Sequence, residues 1–199
     1  INISVINPVT VILPNDTAIC LLNSITITAL PAGNNYSWSN GNTSQSIIIT
    51  PNTTTKYIVT LYDANGCSSL DSITVTVNTL PNTYAGKDTT ICLNDSIQLN
   101  PTGGNISSSF SWNPATGLSN NLIANPFAKP NTSTTYTLTI TDANGCSNSD
   151  DIIINVNPLP NTSINPPATT ICQYNSTLLA ASGNYNFSWS TGDITPAIL

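Results

Sequence analysis

Three groups of residues return along this chain in a fixed order, and that repetition constrains its fold more than any other feature. Ile19-Cys20-Leu21-Leu22-Asn23-Ser24-Ile25 comes back as Ile91-Cys92-Leu93-Asn94-Asp95-Ser96-Ile97 and as Ile171-Cys172-Gln173-Tyr174-Asn175-Ser176. Tyr36-Ser37-Trp38-Ser39 comes back as Phe110-Ser111-Trp112-Asn113 and Phe187-Ser188-Trp189-Ser190. Asp63-Ala64-Asn65-Gly66-Cys67-Ser68 comes back as Asp142-Ala143-Asn144-Gly145-Cys146-Ser147. A recurrence of roughly 70–80 residues sets the size of the building block, so the chain is a tandem array of small domains.

Proline-bearing joints mark the boundaries. Ile73-Thr74-Val75-Thr76-Val77-Asn78 runs into Leu80-Pro81-Asn82-Thr83, and Ile152-Ile153-Ile154-Asn155-Val156-Asn157 runs into Leu159-Pro160-Asn161-Thr162. The opening Ile1-Asn2-Ile3-Ser4-Val5-Ile6-Asn7-Pro8 has the same shape. The expected organisation is therefore 1–7 as the last strand of a preceding repeat, 8–79 as repeat 1, 80–158 as repeat 2, and 159–199 as the first half of repeat 3. The pattern reads as a window on a longer array.

Within each repeat the apolar period is two residues, the period of a strand. Ile25, Ile27 and Ala29 alternate with threonines, as do Ile73, Val75 and Val77, and Tyr136, Leu138 and Ile140. One apolar face and one threonine face suit a half-buried antiparallel sheet. Proline and glycine interrupt too often for helices. The expected fold is all-β, a series of antiparallel sandwiches with six or seven short strands per unit. Tyr36 and Trp38, Phe110 and Trp112, and Phe187 and Trp189 stand two apart, each pair on one face of its strand. Their reuse at one place in every repeat makes Trp38, Trp112 and Trp189, with Tyr57 and Tyr136, the expected core.

Five cysteines sit at 20, 67, 92, 146 and 172, two in each whole repeat. The simplest pairing is Cys20–Cys67 and Cys92–Cys146, with the partner of Cys172 beyond Leu199. Closing loops of that size stabilises a small domain by ~4 kcal/mol on the chain-entropy estimate. The alternative Cys67–Cys92 is opposed by a final strand that carries the chain ~25 Å away from Cys67. The intradomain pairing depends on chain direction. One strand between those of Trp38 and Tyr57 puts both cysteines at one end of the sandwich, and two put them at opposite ends. Gln45–Thr50 is the clear strand in that interval, which favours the intradomain pair. Disulfides place the chain in an oxidising, extracytoplasmic compartment.

The charge inventory narrows function. Nine acids, all aspartate, face three lysines, and the chain has no histidine. Without imidazole, arginine or glutamate, ordinary acid–base and oxyanion chemistry has few carriers, so no catalysis, cofactor or metal is expected. A net charge of -6 opposes nucleic-acid binding. No apolar run approaches the ~18 residues of a spanning helix.

Asp88-Thr89-Thr90-Ile91-Cys92, Phe110-Ser111-Trp112-Asn113-Pro114-Ala115-Thr116-Gly117-Leu118-Ser119 and Thr134-Thr135-Tyr136-Thr137-Leu138-Thr139-Ile140-Thr141-Asp142-Ala143-Asn144-Gly145-Cys146 carry a resemblance to a known family. They resemble the tandem immunoglobulin-like and PKD-like repeats of Bacteroidetes surface proteins, such as gliding-motility adhesins. The resemblance implies a secreted cell-surface protein exported across the outer membrane, commonly by the type IX system. It also implies O-glycosylation at Asp-Ser/Thr motifs, here Thr17, Ser72, Thr89 and Ser96. The Trp-Asp-Phe-Gly-Asp-Gly stretch usual in PKD repeats is replaced by Trp38-Ser39-Asn40-Gly41 and Trp112-Asn113-Pro114.

The leading expectation is a structural stalk or spacer of a long adhesin or extracellular fibre. Its partners would be neighbouring repeats and other copies, with any surface or polysaccharide ligand bound elsewhere in the protein. Two alternatives stand beside it: a filament subunit that adds a strand to its neighbour, and a carbohydrate-binding module with an exposed aromatic row. The Asp-Ala-Asn-Gly turns contain possible calcium oxygens, but Asp and Asn also cap hairpin turns and Gly supplies positive φ.

Overall fold

The computed structural model describes residues 9–32, 35–183 and 185–199. The strand expected over Ile1–Asn7 lies outside them. Every regular element among the described residues is a strand. In repeat 1 these are β1 (Thr17–Cys20), β2 (Ile25–Thr28), β3 (Asn35–Trp38), β4 (Ser46–Ile49), β5 (Thr55–Tyr62) and β6 (Ser68–Asn78). One sheet has the order β1-β6-β5-β3, and the facing sheet pairs β2 with β4.

The alternation read in the sequence becomes the packing between these two sheets. Ile27, Trp38, Ile47, Val59, Leu61, Ile73 and Val75 are buried in one cluster, while the threonines between them face water. Val11 and Leu13 close the side of this core through an isolated bridge from Ile12 to Leu30. Pro14 follows. It lacks an N–H and ends that pairing, so the chain crosses to the other sheet and forms β1 there. The result is an immunoglobulin-like sandwich.

The sheets are antiparallel with one exception in each repeat. β1 runs parallel to β6, with Thr17 opposite Val75 and Cys20 opposite Asn78. Before β1 the chain already follows β6: Val11 N–H donates to Ser69 Oγ at 2.9 Å, and Leu13 N–H to Asp71 Oδ2 at 2.8 Å. Residues 9–20 therefore run beside 69–78 in the same direction.

Repeat 2 repeats this plan. Its strands are β7 (Thr83–Tyr84), β8 (Thr89–Cys92), β9 (Ile97–Gln98), β10 (Thr102–Gly103), β11 (Ser109–Asn113), β12 (Phe127–Ala128), β13 (Thr134–Thr141) and β14 (Ser147–Asn157). The main sheet is β11-β13-β14-β8, with β8 parallel to β14 and Cys92 opposite Asn157. A second core gathers Leu99, Trp112, Tyr136, Leu138, Ile140, Ile152 and Ile154. Tyr136 donates its hydroxyl to Thr116 O at 2.8 Å, and burial pushes its pKa up. Asp150 Oδ2 accepts Ala85 N–H at 2.9 Å, the counterpart of Asp71 with Leu13. A charged acceptor of this kind contributes about 1.5–3 kcal/mol. Asp150→Ala should therefore lower the stability of repeat 2 by about that amount in a denaturant titration. A midpoint unchanged from the parent would mean that this edge is held by other contacts.

Residues 159–199 hold β15 (Ile164–Asn165), β16 (Leu179–Ala181) and β17 (Ala197–Ile198) in one three-stranded sheet. Thr169–Cys172, which matches β1 and β8 in sequence, is not a strand here. The parallel partner that β6 and β14 supply in the earlier repeats has no counterpart in this segment. Trp38, Trp112, Tyr57 and Tyr136 are buried in the cores of the two whole repeats, and Trp189 is half-buried in residues 159–199, which hold the first half of a repeat.

Candidate functional site

The distinctive site is the joint between repeats 1 and 2, where Cys20 and Cys146 are joined by a disulfide with a Cα–Cα distance of 5.5 Å. The two cysteines are separated by 126 residues. The expected pairs Cys20–Cys67 and Cys92–Cys146 are not formed, and Cys67, Cys92 and Cys172 are free.

Strand direction explains the correction. Cys20 is level with Asn78 at the far end of β6, whereas Cys67 immediately precedes Ser68 at its near end. The 11 residues of β6 at ~3.3 Å each separate the two levels by roughly 36 Å. A disulfide spans Cα atoms no more than about 7 Å apart. β4 is the single strand between β3 and β5, yet β3 and β5 are antiparallel, so the chain reverses three times in that interval. The extra reversal lies in residues 39–45, which form no ladder of their own. Gly41 N–H donates to Trp38 O at 2.9 Å, and Trp38 Nε1 donates to Ser44 O at 2.8 Å. That return brings the chain back along the Trp38 side chain before β4 begins. A reversal without a strand still changes direction, and Ser39-Asn40-Gly41-Asn42 is its signal in the sequence.

Repeat 2 presents its turn cysteine at the end that receives the chain. Asn148, two residues beyond Cys146, donates from Nδ2 to Pro81 O at 3.1 Å. Only Thr79 and Leu80 lie between Asn78 and Pro81. The exit of repeat 1, where Cys20 sits, is thus held against the Cys146 turn. Cys146 is 0% exposed there.

The turns bearing Cys67 and Cys146 share one geometry. Gly66 and Gly145 N–H donate to Asp63 O and Asp142 O, each at 3.1 Å, and the glycines adopt φ of 80° and 78°. This is a tight turn closed by a left-handed residue, a conformation for which glycine is the low-cost choice. Asp63 Oδ1 accepts the N–H groups of Asn65 and Cys67, and Asp142 Oδ1 those of Asn144 and Cys146, all at 2.9 Å. These carboxylates are engaged in holding the hairpin. Among the described residues no group of three or more potential metal ligands converges.

Three of the four acids in the expected glycosylation motifs also have structural partners. Asp16 Oδ1 accepts Thr74 N–H at 2.7 Å, Asp88 Oδ1 accepts Ile153 N–H at 2.9 Å, and Asp71 holds Leu13. Thr17, Ser72 and Thr89 are half-buried within strands, whereas Ser96 is exposed in the turn after β8. Ser96 is the accessible hydroxyl of the four.

The protein is an all-β chain of immunoglobulin-like sandwiches. No family model matches its sequence, and no curated protein matches it. Several solved structures align with this chain at low identity. Extracellular domains 3–5 of Drosophila OTK align at 12% identity and a TM-score of 0.40, over 74% of this chain and 62% of that one. The insect immune protein hemolin aligns at 13% and 0.42, over 75% of this chain and 47% of that one. The N-terminal eight Ig domains of Down Syndrome Cell Adhesion Molecule align at 14% and 0.39, over 88% of this chain and 32% of that one. The chain thus spans less than two thirds of each.

Proposed function

We propose that this chain is a load-bearing spacer, a non-catalytic stretch of the stalk of an extracellular adhesin or surface fibre. The observation that carries the reading is the disulfide across the joint. A bond inside a repeat would stabilise that repeat alone; Cys20–Cys146 instead fixes one repeat to the next. With the peptide link at Thr79–Leu80, two covalent connections span the joint, and rotation about it is restricted. Disulfides persist in oxidising compartments, which supports an extracellular or cell-surface location. Export by the type IX route, and glycosylation at Ser96, belong to the same reading through the resemblance to Bacteroidetes surface repeats. A surface or polysaccharide ligand would then be bound elsewhere in the protein.

Strand addition between copies is the alternative that the scattering experiment below separates from it. The carbohydrate-binding reading needs an exposed aromatic row, whereas the repeated tryptophans Trp38 and Trp112 lie in the cores.

Small-angle scattering tests the spacer. With 11-residue strands β6 and β14 end to end, the oxidised chain should be elongated, with a maximum dimension above ~75 Å. Cys20→Ser should keep both repeats folded and broaden the distance distribution as the joint gains freedom. A compact envelope with repeats side by side would overturn the spacer reading. Growth into fibres with concentration would favour strand addition.

A further inference from the structure

Cys67 and Cys92 occupy the same two positions as the bonded cysteines, one repeat removed. Cys92 ends β8 opposite Asn157, as Cys20 ends β1 opposite Asn78. The turn that follows is also the same. Leu93 N–H donates to Asn157 O at 2.8 Å, as Leu21 N–H does to Asn78 O, and Asn94 and Leu22 have φ of 74° and 73°. Cys67 sits in the hairpin that Cys146 occupies in repeat 2, with matching hydrogen bonds. What differs is the partner: Cys146 is buried against a half-buried Cys20, whereas Cys67, equally half-buried, and Cys92, exposed, are free thiols. The joint after repeat 2 keeps the spacing of the first: Asn78-Thr79-Leu80-Pro81-Asn82 corresponds to Asn157-Pro158-Leu159-Pro160-Asn161.

We propose that Cys67 and Cys92 are open halves of the same inter-repeat bridge. Cys92 takes the cysteine of an Asp-x-Asn-Gly-Cys turn on an adjoining repeat placed after repeat 2. Cys67 takes the first-strand cysteine of a repeat placed before repeat 1. Bonds then form only between consecutive repeats. The consequence is a pair of covalent cables. In each repeat the first segment and the last strand lie side by side and parallel, as 9–20 and 68–78 do. Each bridge joins the first segment of one repeat to the last strand of the next, which leads through the joint into a further first segment. Two lines of covalent bonds thus run the length of the array, side by side in every sandwich. The inference rests on the observed bridge and the repeat equivalence, and does not need the spacer reading.

Each bridge forms by thiol–disulfide exchange. A low-molecular-weight disulfide accepts two electrons and two protons from the two cysteine thiols, through a mixed disulfide, and leaves as two thiols.

Peptide mapping after oxidation with glutathione disulfide tests the assignment in two arms. In the 199-residue chain, Cys20–Cys146 should form within one molecule. Cys67 and Cys92 should remain as thiols or glutathione adducts, or bond to each other between copies; covalent oligomers would identify a second copy as the source of the adjoining repeat. Cys67–Cys92 within one molecule, or any bond inside a repeat, would overturn the proposal. The second arm uses a chain in which residues 80–158 follow residue 158 in place of 159–199. Each repeat has its own closed core, so the added copy is a folding unit. Cys92 of the first copy should then bond to Cys146 of the second in most molecules, and labelling of that Cys92 by a thiol reagent should fall at least tenfold. A first-copy Cys92 left free, or bonded to Cys146 of its own repeat, would overturn it. Cys92→Ser in that chain should leave Cys20–Cys146 intact and the second Cys146 labelled, which separates loss of the bridge from loss of folding.

Discussion

Pulled from its two ends, the oxidised chain should yield little of the length stored in repeats 1 and 2. Force arriving along residues 9–20 passes through Cys20 to Cys146 and leaves along β14, so the 126-residue separation is bypassed. At ~3.5 Å per extended residue, reduction of that bond should release about 440 Å of additional contour. The oxidised path is already close to straight, because residues 9–20 follow β6 from end to end and β14 spans repeat 2. Single-molecule extension with and without reductant reads this directly. Equal contour lengths in the two conditions would show that no bond spans the joint. Two separate reductant-dependent gains of roughly 165 and 190 Å would mean bonds inside the repeats.

Trp112→Ala should be the most damaging single substitution in repeat 2, at about 3–5 kcal/mol. Trp112 is 1% exposed, packs in the core with Leu99 and Leu138, and donates from Nε1 to Ile123 O at 3.2 Å. The substitution leaves a cavity and removes the donor for that carbonyl. For a unit of this size each kcal/mol shifts Tm by roughly 4–8 °C, so repeat 2 should melt at least ~12 °C lower. Trp189→Ala, at a half-buried position, should cost much less. Calorimetry that found Trp112→Ala within about 0.5 kcal/mol of the parent would contradict the burial and revive an exposed binding platform.

Much of the fold was legible because it is local. Alternation such as Tyr136, Leu138 and Ile140 assigns one face of a strand to the core without reference to the rest of the chain. The Asp-Ala-Asn-Gly stretches specify a hairpin by the φ that glycine allows and the N–H groups that aspartate accepts. The candidate site was legible only in part. The five cysteines were visible as a framework, and their even distribution pointed to one turn cysteine and one first-strand cysteine per repeat. Their pairing was not visible, because it depends on which end of a sandwich each occupies.

The sequence by itself determined the repeat, the strand period, the core aromatics and the turns, since each is set by steric and hydrophobic preferences within a few residues. Tertiary structure alone decided that the first strand runs parallel to the last, that residues 39–45 reverse the chain without forming a ladder, and that Cys20 meets Cys146. Those outcomes follow from cumulative strand direction and from contacts between residues far apart in sequence. A two-residue joint then brings the exit of one sandwich to the receiving turn of the next.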